Sequence, residues 1–207
     1  MSFPKELSQL VIRNMEIIEI APTVVDAIEK RLFSAINKRI KDRVSGMGWN
    51  GFYGLVTGVT GKSNDTSFAP ESWPRQEDES LCARYSLTYT RGDGDDLKMW
   101  LSSATGILGD SLCFAFSFDR VWGEMKRPQY KATLENFYHE NAVLRQSRFS
   151  LAQDKESIII PFLFDSEKLA DEYPDFDDVL VPLDDALEAL FGVHDEFDAF
   201  VKTLTQK

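Results

Sequence analysis

Two cysteines and two histidines are all that 207 residues offer for disulfide, soft-metal or imidazole chemistry. Cys82 and Cys113 have no Cys-x-x-Cys partner and no zinc-type spacing, so both are expected to be reduced structural thiols. His139 follows Glu135 by four residues, which is too few ligands for zinc. His194 falls on an apolar helical stripe and is expected to be packed. The sequence has no Gly-x-Ser-x-Gly and no Cys-His signature, so acyl transfer lacks its parts. Gly61-Lys62-Ser63 follows a strand, but a phosphate loop needs its first glycine where Val56 stands. The residues after it, Asn64 to Pro70, do not open the helix such a loop requires. Asp93-Gly94-Asp95-Asp96 lacks the alternating ligands and closing glutamate of a calcium loop and reads as a turn. No cofactor is expected.

Long apolar runs are also missing. The densest, Ile158–Phe164, is strand-sized and interrupted by Pro161, far short of the roughly 20 residues of a membrane-spanning helix. The opening residues, Met-Ser-Phe-Pro-Lys-Glu, have neither the basic start nor the apolar stretch of a signal peptide, so no membrane partner and a cytoplasmic location are expected. What is present is ordinary globular material, 43% hydrophobic and 28% charged. That length buries a core without cross-links, and one domain over residues 1–207 is expected.

Cationic charge is scarce in one place. The net charge is −11. Between Asp165 and Asp198 there are thirteen acids and a single cation, Lys168, which is a net of −12 and leaves +1 for the rest. Phosphate contacts need Lys and Arg, so nucleic-acid binding through this segment is not expected. A basic protein partner suits it, or a basic face of the same chain.

Apolar rhythm then predicts the elements. Residues 5–20 read as a helix with Leu7, Leu10, Val11 and Ile18 on one face, broken at Ala21–Pro22. A second helix, capped near Thr23, runs to about Val44 on Val25, Ile28, Leu32, Ile36 and Ile40. Its outer face carries Lys30, Arg31, Lys38, Arg39, Lys41 and Arg43. Trp49–Val59 reads as a strand, and Gly61–Ser80 as a long aperiodic loop in which Phe68 and Trp73 either pin the loop or form a lid. Residues 81–90 alternate as a half-buried strand, Leu97–Ser103 returns after a turn, and Asp110–Asp119 alternates again. Tyr130–Leu144 is helical. Ser157–Phe164 is a strand that Pro161 confines to an edge or bulge. Residues 182–204 form a last helix that Gly192 kinks or splits. No internal repeat or coiled coil is read. The whole is an α+β fold: a mostly antiparallel, four- to five-stranded sheet, helices on one face, and helical N- and C-termini.

Asp96-Leu97-Lys98 at the opening of the third strand, in this element order, resembles the core of metal-dependent nucleases of the PD-(D/E)xK superfamily. The resemblance implies a divalent-metal phosphodiesterase in which Asp96 is a metal ligand and Lys98 sits by the attacking water. The preceding strand has no acid between Leu81 and Thr90, which departs from the family's ligand pattern. The reading preferred over that alternative is a non-enzymatic accessory or binding protein. Its acidic surface is densest at Asp175, Asp177 and Asp178, and these, with Trp73, are the expected partner-binding residues.

Overall fold

The computed structural model describes residues 4–54, 66–74, 82–90, 100–107, 109–119 and 125–205. Helix α1 spans Lys5–Arg13 and α2 spans Met15–Gly46. The break falls at Asn14 (φ −117°, ψ 23°), not at Ala21–Pro22, and Pro22 lies inside α2. A proline in a helix removes one amide donor and frees a carbonyl one turn back. Here that carbonyl belongs to Ile18, which is exposed, so solvent reaches it. Further along, α2 buries Leu32, Phe33, Ile36, Ile40 and Val44, close to the predicted stripe.

The strands are β1 (Asn50–Phe52), β2 (Ser67–Ala69), β3 (Ala83–Tyr89), β4 (Leu112–Phe118), β5 (Ser150–Leu151) and β6 (Ile158–Phe162). All pairings are antiparallel, in the order β1-β2-β3-β4-β6-β5. The α+β fold is as expected, with six strands in place of four or five. Part of the difference is β2, which lies inside the supposed loop. Ser67-Phe68-Ala69 is too short to show a period of two, yet it is paired on both sides.

A second departure follows β3. Trp100–Thr105, expected in part to be a returning strand, is helix α3. Its second residue, Leu101, donates its amide to Glu29 Oε1 at 2.8 Å, satisfying a donor that a helix start leaves orphaned. Trp100 meets the Phe33 and Tyr89 rings edge-on, both at 5.1 Å. These contacts are remote in sequence, so local alternation does not register them.

The remaining helices are α4 (Arg127–Glu140), α5 (Ala142–Gln146), α6 (Ser166–Asp171), α7 (Val181–Gly192) and α8 (His194–Thr205). The predicted last helix is therefore split next to Gly192. Pro161 sits opposite Cys113 of β4, while β5 covers only Ile158 and Ile159. The Ser157 carbonyl accepts the Ala152 amide, so alternate residues 157, 159 and 161 aim their backbone groups to that side. The proline nitrogen thus faces the open edge beyond β5, where no ladder bond is lost.

One sheet face carries Tyr85, Leu87, Phe114, Phe116, Phe118, Ile158 and Ile160 into a common core with α2, α4, α7 and α8. The other face holds a small separate cluster of Cys113, Ala115 and Ile159. Alternation explains the division: Ala83, Tyr85 and Leu87 are buried, Arg84 is exposed, and Ser86 and Thr88 are intermediate.

Candidate functional site

The acidic loop between α6 and α7 is tied down by its own residues. Phe176 is buried beneath it. Glu172 Oε2 accepts the Val179 amide at 3.0 Å, and the Asp175 amide donates to the Glu172 carbonyl at 2.7 Å. From α2, Arg39 Nη2 donates to the Asp177 carbonyl at 3.3 Å and its carboxylate at 3.2 Å. The Nη1 of the same guanidinium reaches Asp184 Oδ2 at 2.8 Å, and Arg43 pairs with Glu188 at 2.8 Å. The basic face of α2 therefore neutralises Asp177, Asp184 and Glu188 within the chain. Among the described residues no ion pair reaches Asp175, Asp178 or Asp185, and all three are exposed. A groove of about 560 Å³ separates Arg31, Lys38 and Arg39 from the Pro174–Asp177 wall.

Trp73 is elsewhere. It is 2% exposed and does not line that groove. Its ring packs against Tyr85 at 5.1 Å, Phe116 at 5.8 Å and His194 at 5.7 Å. Its Nε1 donates to Asp198 at 3.1 Å. With Phe68, also fully buried, it pins the 66–74 segment to the core. The expected set of four thus divides: the structure brings Asp175, Asp177 and Asp178 together on one loop and places Trp73 inside.

The polar groups around Trp73 were missed by sequence reasoning, which registered His194 only as a packed residue. Tyr85 Oη and His194 Nδ1 are 3.0 Å apart, and the Trp49 ring lies 4.5 Å from the imidazole. Burial pushes His194 down from its ordinary value, against the pull of nearby Asp198 and Asp195. Burial of the Asp198 carboxyl opposes ionisation, but hydrogen bonds from Lys202 and Trp73 outweigh it and hold the group below its usual range. A Trp and an Asp 125 residues apart carry no local signal that they meet.

Elsewhere, His139 Nε2 lies 3.8 Å from Glu135, as the four-residue spacing implies. An apolar groove of about 460 Å³ is lined by Ile28, Leu101, Ile107, Leu169 and Tyr173 among others. Among the described residues no three His, Cys, Asp or Glu side chains are grouped to hold a metal, and no helix is long and apolar enough to cross a membrane. Asp96, Lys98, the Gly61-Lys62-Ser63 stretch and the Asp93–Asp96 turn lie outside the described residues. Compared with known proteins, the chain matches no family model, no curated protein and no solved structure.

Proposed function

We propose that the chain is a binding protein whose acidic face docks a basic protein surface. The observation that supports this is the state of the 172–179 loop. It is held by Phe176, Glu172 and Arg39, yet Asp175 and Asp178 stand exposed with no cationic neighbour among the described residues. Carboxylates on a loop already held in place lose little freedom on binding, so more of their attraction appears as affinity. They also repel phosphate, which favours protein over nucleic acid as the partner. The reading includes a cytoplasmic setting, in keeping with two free, buried cysteines.

The test is affinity capture from lysate with wild type and an Asp175→Asn, Asp178→Asn variant. Wild type is expected to retain basic proteins that elute by about 0.5 M salt, where screening is nearly complete over a few ångströms. The variant is expected to lose them. Identical capture by both proteins would show that the acids only solvate the surface.

A further inference from the structure

We propose that residues 5–28 form a parallel two-stranded coiled coil with the same residues of a second copy of this chain. The inference stands on the N-terminal helices and is independent of the acidic face.

No residue of α1 is buried, and the first buried residue of α2 is Glu29. At 1.5 Å per residue, roughly 36 Å of helix therefore adds nothing to the core. A helix standing alone in water at this length is marginal. Yet Leu7, Leu10, Asn14, Ile17, Ala21, Val24 and Ile28 recur at alternating steps of three and four. That is the seven-residue repeat of a coiled-coil seam, with Leu7, Asn14, Ala21 and Ile28 at its first position and Leu10, Ile17 and Val24 at its fourth. Val11, Ile18 and Val25 widen the stripe. The opposite side carries Lys5, Gln9, Glu16, Glu19, Thr23 and Asp26, with Ile12 the exception. Pro22 falls on the outer side, off the seam. A break at Ala21–Pro22 would have cut the repeat short; the structure carries the helix through it.

Three observations name the occupant. The first is area. Leu7, Leu10, Val11, Ile12, Met15, Ile17, Ile18, Ile20 and Val24 are 39–71% exposed. Together they leave on the order of 800 Å² to water, more than a monomer's largest apolar patch and about what each partner of a stable dimer covers. The second is Asn14, the one polar residue on the seam. Its Nδ2 donates to the Leu10 carbonyl at 2.7 Å, which leaves Oδ1 and one N–H. A carboxamide is its own complement, and only in a parallel pair do the two Asn14 side chains meet; antiparallel, each would face Ile17. The third is charge. From Lys5 to Asp26 the arm carries Lys5 and Arg13 against Glu6, Glu16, Glu19 and Asp26. A helix that lies on a membrane surface carries the reverse balance.

The full-length chain is tested by light scattering after gel filtration at about 10 µM, a concentration at which interfaces of this size are populated. Wild type is expected at twice the 23.6 kDa chain mass. Leu10→Glu with Ile17→Glu is expected at the single-chain mass with unchanged near-ultraviolet circular dichroism, since neither residue touches the core. Leu7→Cys is expected to give an interchain disulfide on mild oxidation. A monomeric wild type, or a dimer that survives the double substitution, overturns the proposal. Failure of the Leu7→Cys cross-link overturns the parallel arrangement. Sedimentation of wild type with phosphatidylserine vesicles would transfer the arm to a lipid surface and overturn the self-pairing.

Discussion

The Tyr85 hydroxyl meets His194 Nδ1 at 3.0 Å, joining the middle of the sheet to the first residue of α8. Tyr85 is fully buried and its ionisation is pushed well above the ordinary value by burial. It therefore remains a neutral partner at every pH at which the imidazole titrates.

This pair makes stability depend on pH. The folded state holds His194 below its unfolded value of about 6.5, so the unfolded chain binds more protons in that window. The stability it contributes is present above 6.5 and lost as pH falls through the folded value. Urea midpoints are expected to drop between pH 7.5 and pH 5.5 in wild type. In His194→Gln that slope is expected to flatten; an unchanged slope would assign the effect to another group.

Phe116 is the residue on which the core is most exposed to damage. It is 1% exposed and lies 4.5 Å from Phe197 and 5.8 Å from both Tyr85 and Trp73, ring centre to ring centre. Phe116→Ala is expected to cost about 3–5 kcal/mol by urea denaturation, the combined loss of burial and the cavity left behind. A loss under about 1 kcal/mol would mean that the neighbouring rings collapse into the space.

Arg39 links the acidic loop to α2. Its pair with Asp184 is partly buried on both sides, while Asp177 is 94% exposed and adds little. Arg39→Gln is expected to cost about 1 kcal/mol, because solvent screens most of the attraction. It also uncovers Asp177 and Asp184. Low-salt capture of basic proteins is therefore expected to rise even as stability falls. If capture falls with stability, the loop must be held by Arg39 to be recognised.

Both thiols are sealed. Cys82 and Cys113 are buried, and burial pushes the Cys113 thiol up to about 12. A maleimide at pH 8 is expected to leave the native protein unlabelled over minutes and to label both cysteines in denaturant, because only the thiolate reacts. Rapid labelling of the native protein would place a thiol at the surface.

Much of this architecture can be read from local pattern. The alternation of Ala83, Tyr85 and Leu87, the inward phenylalanines of β4 and the split near Gly192 each follow from spacing a few residues long. Three features resist such reading. β2 is too short for a period. Trp100–Thr105 is helical partly because Glu29, some seventy residues earlier, receives its second amide. Pro22 stays within α2 because its freed carbonyl faces solvent. Of the candidate site, the clustering of acids was legible. Which acids are already answered was not, since Arg39 and Arg43 meet Asp177, Asp184 and Glu188 across more than 130 residues.

By itself, the order of residues decided which side of each strand and helix is apolar, because side-chain direction repeats every two or 3.6 residues whatever lies nearby. Tertiary structure alone decided which charges remain unanswered and which apolar faces remain uncovered. Those depend on what stands opposite in space, and folding α2 across the sheet covers its second half while leaving its first half and α1 in water.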